Sequence, residues 1–72
     1  MTTLSQAKAG QTYTIKWMIV NREAGDLLEK LELKVDQQIK LIQEFHGSVL
    51  IHSMGHTYAI SEDVARRIRV VS

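Results

Sequence analysis

Seventy-two residues without a cysteine or a proline, 44% of them hydrophobic and with a formal charge of +1, can build one small core and no second one. The missing cysteines exclude disulfide staples and thiolate metal sites, and the near-neutral charge gives no general pull toward nucleic acid or anionic membrane. No apolar run reaches the length of a membrane span and the opening MTTLSQ lacks a signal-peptide pattern, so a cytoplasmic location without direct membrane insertion is expected.

Residues 2–10 (TTLSQAKAG) read as a lead-in, with Leu4 tucked into the core and Gly10 reversing the chain. Residues 11–20 form the strongest strand signal. Tyr13, Ile15, Trp17 and Ile19 share the face expected to be buried, and Thr12, Thr14 and Lys16 share the other. Met18 and Val20 interrupt the polar face, which implies a cover over the far end. Residues 21–33 (NREAGDLLEKLEL) turn helical on the stripe Leu27, Leu28 and Leu31, and Asp26 with Glu29 resembles a capping pair. A glycine inside a helix costs about 1 kcal/mol relative to alanine. A kink at Gly25, or a helix starting near Asp26, is therefore expected. Glu29, Lys30 and Glu32 read as a solvated face.

Residues 39–45 give the next strand, with Ile39, Leu41 and Phe45 toward the core and Lys40 and Glu44 away from it. Its hairpin to the following strand turns at His46-Gly47, and a slip of one residue would exchange the two faces. A two-residue loop sets Phe45 opposite Ser48 and Leu41 opposite His52. A three-residue loop through Ser48 pairs Phe45 with Val49 and Leu41 with Ser53. The second register joins the larger apolar groups and is the expected one, with Gly47 at positive φ.

Residues 49–71 read as strand, tight turn at Met54-Gly55, strand, helical turn and last strand. Val49, Ile51, Tyr58 and Ile60 define one buried face. Ser61 stands at a helix N-cap, Glu62 and Asp63 suit the positive end of the helix dipole, and Arg66 and Arg67 fall at the other end. Val64, Ala65 and Ile68 share one face. About five strands, a helix after the first and a helical turn before the last imply a mainly β protein folded as a small closed barrel.

The chemistry on offer is sparse. In a hairpin turning at Met54-Gly55, Ser53 faces His56 and His52 faces Thr57, which sends the two imidazoles to opposite faces, and His46 sits in another turn. A tight metal site needs three or four converging ligands, so no metal and no cofactor is expected. Ser48, Ser53 and Ser61 serve as turn or cap residues, Glu62 and Asp63 open a helix, and the four glycines are scattered singly. A nucleophile would need a base beside it, and the chain reads as non-catalytic. Arg66, Arg67 and Arg69 form one basic cluster, explained by the helix end. Apolar residues on the wrong phase, Met18, Val20, Ile42, Leu50 and one of Leu27 or Leu28, would suit a partner if contiguous.

Several stretches resemble the ferrous iron transport protein A (FeoA) family. They are Leu4-Ser5 through Gly10, the strand from Tyr13 to Ile19, the leucine-rich residues 26–33, and most clearly MGHTYAISEDVARRIRV at residues 54–70. Ala9 replaces the family's proline, Glu32 its helix-ending glycine and Val35-Asp36 its Pro-Gly turn, and the loop between the middle strands is shortened to His46-Gly47-Ser48. The resemblance implies an SH3-like barrel that docks on the cytosolic GTPase-bearing part of the FeoB-type membrane transporter and modulates it. The docking surface expected on that basis comprises Leu27, Leu28 and Leu31 with the out-of-phase Met18 and Leu50. The alternatives are an Sm-like (Hfq-type) barrel binding single-stranded RNA, against which the position of the helix argues, and a metal-sensing domain. No nucleic acid is expected as a partner, and weak self-association is left open.

Overall fold

In the computed structural model, which describes residues 2–19 and 21–72 and leaves aside the side chain of Ala24, the elements follow in the order β1 (Thr2–Thr3), a 3-10 turn (Leu4–Gln6), β2 (Thr12–Met18), α1 (Arg22–Lys30), β3 (Gln38–Phe45), β4 (Ser48–Ser53), β5 (His56–Ser61), α2 (Glu62–Ala65) and β6 (Ile68–Val71). Val20, one of the two residues that interrupt the polar face of the first strand, lies outside the described residues. One antiparallel sheet runs β1-β6-β2-β3-β4-β5. The SH3-like small barrel expected from the sequence is present, with six strands because the lead-in residues Thr2 and Thr3 pair with Val70 and Arg69. Full closure, expected from the sequence, is not reached: the hydrogen-bonded ladder stays open between β1 and β5. There α2 packs against β4, β5 and the 3-10 turn, and that turn packs against β6.

The core takes Leu4, Tyr13, Ile15, Ile39, Leu41, Val49, Ile51, Ile60, Ala65, Ile68 and Val70, all buried. Strict alternation placed Tyr13, Ile15, Ile39, Leu41, Val49, Ile51 and Ile60 correctly because β strands send successive side chains to opposite faces. The buried hydroxyls of Tyr13 and Ser53 are both paired. The Tyr13 hydroxyl accepts from the Lys8 N–H (2.9 Å) and donates to Gln11 Oε1 (3.1 Å), so a large ring can be buried with its polar tip paired. Buried Ser53 donates to the Gln38 carbonyl and accepts from Gln37 Nε2.

Two bulges correct the expected faces. β2 pairs with β6 as Ile15↔Val70 and then Trp17↔Arg69, so Lys16 is an extra residue. A bulge sets two residues against one and shifts the alternation by one place. Trp17 and Ile19, expected in the core, therefore turn outward, and Met18 turns inward against the core. The second bulge falls at Ile42, between Leu41↔Ile51 and Gln43↔Leu50. It sends Phe45 outward too. The His46-Gly47 loop also differs from the three-residue loop expected: Phe45 pairs with Ser48 across two residues, with Gly47 at φ 72°. The bulge shifts the register, so Leu41 meets Ile51 and not the Ser53 expected opposite it.

Helix α1 starts at Arg22 and runs through Gly25, whose N–H reaches the Asn21 carbonyl (2.9 Å). The helix does not begin at Asp26, which lies within it and does not cap it. The helix stops by a defined device. The Leu33 N–H donates to the Leu28 carbonyl (3.0 Å), the Glu32 N–H donates to that of Glu29 (3.0 Å), and Glu32 holds φ 59°. These are the two bonds of a Schellman cap, accompanied by its apolar contact partners, Leu28 and Leu33, both buried. The left-handed position normally belongs to glycine, since it costs an L residue about 1–2 kcal/mol. Replacing Glu32 with glycine adds about 0.4–1 kcal/mol of unfolded-chain entropy in opposition. Glu32→Gly is therefore expected to stabilise the fold by about 0.5–1 kcal/mol, read as a higher urea midpoint with unchanged slope.

The β4–β5 hairpin turns as expected at Met54-Gly55, with φ of 51° and 82°. Both central residues of this turn need positive φ, which asparagine accepts better than methionine. Met54 is exposed and has little packing to lose. Met54→Asn is expected to raise stability by about 0.5 kcal/mol, measured by the same unfolding curve. Ser61 caps α2 as expected, its Oγ accepting from the Val64 N–H at 3.4 Å.

Candidate functional site

Exposed apolar side chains gather where β2 ends and α1 begins. The bulge at Lys16 leaves Trp17 54% exposed opposite Arg69, and Ile19 43% exposed. The Ile19 N–H donates to the Arg67 carbonyl at 2.7 Å, which ties this segment to the start of β6. On the other side of Arg67, Leu27 is 41% exposed and lines a shallow groove of about 250 Å³ with Asn21, Glu23, Asp63 and Val64. Arg67 therefore adjoins both Ile19 at the strand end and Leu27 on the helix.

The charges around this surface are unequal. Arg66 is neutralised within α2, reaching Glu62 at 3.2 Å and Asp63 at 3.8 Å. These exposed pairs add little to stability, typically about 0–1 kcal/mol each. Arg67 and Arg69, both half-buried, have no carboxylate partner among the described residues. The Arg69 Nε is fully buried without a hydrogen-bond partner. A buried donor left unpaired costs about 1–3 kcal/mol. The arrangement offers two cations beside an aromatic and two aliphatic side chains, which suits a partner presenting apolar groups flanked by acids.

The residues expected to dock do not act as one set. Leu27 is exposed as required. Met18 and Leu31 are half-buried and pack on the core. Leu28 is a correction: at 2% exposure it is a core residue, because the α1 face carrying it points inward toward Leu33 and the sheet. Leu50 is half-buried on the outer face of β4, opposite Gln43 and Ala59, and away from α1. Sequence reasoning missed Trp17 and Ile19, whose exposure depends on the bulge. A second groove, of about 580 Å³ on the other side of α1, is lined by Met18, Leu28, Leu33, Glu29, Glu32 and Lys34.

The histidines sit as the hairpin register requires, His52 opposite Thr57 and His56 opposite Ser53 on the other face. His52 Nδ1 lies 3.1 Å from Thr57 Oγ1, and His56 packs near the Tyr58 ring. Among the described residues no three His, Cys, Asp or Glu side chains converge on a point that could hold a metal. No helix among them is long and apolar enough to cross a membrane.

The family model of the FeoA domain matches residues 2–72. The chain belongs to the FeoA domain family. No curated protein sequence matches it. Its fold is similar to that of an iron uptake regulatory protein (FeoA), with a TM-score of 0.83 and 19% identity over 96% of both chains. It is also similar to iron(II) transport protein A from Clostridium thermocellum, with a TM-score of 0.87 and 18% identity over 94% of this chain and 43% of that one. The manganese regulator SloR matches with a TM-score of 0.88 and 22% identity over 97% of this chain, which spans only 34% of the regulator's length. In this FeoA domain Glu32, at the position of the family's helix-ending glycine, adopts the left-handed backbone that such a glycine supplies. The departure changes the residue and leaves the helix end a regular cap.

Proposed function

We propose that this FeoA domain serves ferrous iron uptake as a non-catalytic cytoplasmic module, docking on the cytosolic GTPase-bearing part of a FeoB-type transporter through Trp17, Ile19 and Leu27. The observation that carries this reading is the exposure of Trp17, Ile19 and Leu27 beside Arg67 and Arg69, which have no carboxylate partner among the described residues. Aromatic side chains and arginines are the residue types that dominate binding energy at protein interfaces. Family membership supplies the transport context, and the similarity to a protein described as an iron uptake regulator agrees with it.

The test is an NMR titration of the labelled chain with the soluble domain of the transporter. The Trp17 indole and the Ile19 and Leu27 methyl signals are expected to shift together and saturate. A titration that leaves these three unmoved removes the proposal. Exposure of Trp17 near Arg67 and Arg69 favours a second reading, stacking and phosphate binding to single-stranded RNA. Phe45, the other exposed aromatic, lies beyond the Gln38–Lys40 stretch where β3 meets β2, so the two rings form no continuous stacking track. Salt-sensitive binding to an oligonucleotide, with no response to the transporter domain, would decide for RNA.

A further inference from the structure

The long free edge of the sheet is β5, and nothing in its sequence blunts it. At the opposite edge β1 is only two residues long, which is itself a protection. The β5 sequence HTYAIS carries no lysine, arginine, carboxylate or proline, and its pairing with β4 runs from Ser48↔Ser61 to Ser53↔His56 without a register shift. Soluble proteins usually guard such edges with charges, prolines or bulges, because the unpaired backbone is a template for another strand.

The turn decides which backbone groups face outward. A two-residue turn at Met54-Gly55 makes Ser53 and His56 a pair that exchanges both hydrogen bonds. Alternation then makes Ile51↔Tyr58 and Val49↔Ile60 hydrogen-bonded pairs as well. Thr57, Ala59 and Ser61 are left with their N–H and C=O groups turned to the free edge. All three are exposed and have small side chains.

We propose that β5 pairs antiparallel with β5 of a second copy of this chain, about a two-fold axis through Ala59. The two Ala59 residues then exchange their N–H and C=O groups, and each Ser61 N–H reaches the Thr57 carbonyl of the other copy. The Ser61 carbonyl sits at the start of α2 and is not counted. This register keeps the inner faces of both sheets on one side and sets Tyr58 against Ile60, an aromatic and β-branched combination that stabilises cross-strand pairs. A register centred between two residues sets inner against outer faces, and one centred on Tyr58 or Ile60 brings inward-pointing groups to the axis. With no charge on the strand, the two-fold opposes no like charges. The surface used is separate from that of Trp17, so the proposal is independent of transporter docking.

Oxidation of Ala59→Cys tests the register, since hydrogen-bonded residues stand about 5.5 Å apart between Cα atoms, within the span of a disulfide. Ala59→Cys is expected to form a covalent dimer at least about tenfold faster than Glu29→Cys on exposed α1, because pairing raises the local thiol concentration. In sedimentation equilibrium the unmodified chain is expected to shift from monomer toward dimer as concentration rises to the millimolar range. Ala59→Pro removes only an outward N–H and leaves the β4 ladder whole, so it should abolish that shift. If this variant does not fold, Ala59→Lys, which sets like charges across the axis, should cause the same loss. A chain monomeric throughout with no excess cross-linking overturns the proposal, and so does a dimer that survives the folded variants. A monomeric chain whose β5 amides shift only with the transporter domain would assign the edge to a foreign strand and also overturn it.

Discussion

Leu28→Ala is expected to destabilise the fold by about 3–4 kcal/mol, whereas Leu27→Ala, one residue earlier, should cost well under about 1 kcal/mol. Leu28 is buried in the core and doubles as an anchor of the α1 cap, where its carbonyl accepts the Leu33 N–H and its side chain packs with Leu33. Truncating a buried leucine loses the transfer free energy of the removed groups and leaves a cavity that relaxes only partly. A domain of this length has about 4–11 kcal/mol in hand, so the change removes a large fraction of it. Leu27 is half in water already and has little burial to lose. Urea unfolding of both variants separates the cases. Equal midpoints would mean that α1 does not hold Leu28 in the core as described.

Trp17→Ala is expected to weaken binding to the transporter's cytosolic domain by about 30-fold or more, about 2 kcal/mol, the scale of an interface hot spot. The same variant should unfold close to the unmodified chain, because Trp17 stands outside the core on the solvent side of β2. This combination, affinity lost and stability kept, is the signature of a docking residue. The opposite combination is the signature of Leu28. Arg67→Glu and Arg69→Glu should reduce the association rate and its dependence on salt more than they change dissociation, as expected for charges at an interface rim. A Trp17→Ala titration that overlays the unmodified chain would leave the docking surface without its anchor.

The pairing of these two residues shows why the docking surface was only half legible. Leu27 and Leu28 are neighbours in one stripe, and the stripe alone does not say which of them faces inward. That depends on the direction from which the helix approaches the sheet. Trp17 fits a clean alternation with Tyr13 and Ile15, and local pattern assigned it to the core. The extra residue at Lys16 reversed that assignment by pairing β2 with β6, which lies about fifty residues further along the chain. Phe45 was misplaced for the same reason, through the bulge at Ile42.

What the amino-acid order determined by itself is everything set by near neighbours. It fixed the buried faces at Tyr13 and Ile15, at Ile39 and Leu41, and at Val49, Ile51 and Ile60. It also fixed the turn at Met54-Gly55 and the Ser61 cap, because side-chain alternation, positive φ and helix capping are all decided within a few residues. What only the tertiary structure decided is where the alternation breaks and which side chains consequently meet water. A bulge accommodates the curvature and register between strands distant in sequence, and no window around Lys16 or Ile42 contains those partners. The surface formed by Trp17, Ile19 and Leu27 therefore exists only in the folded chain.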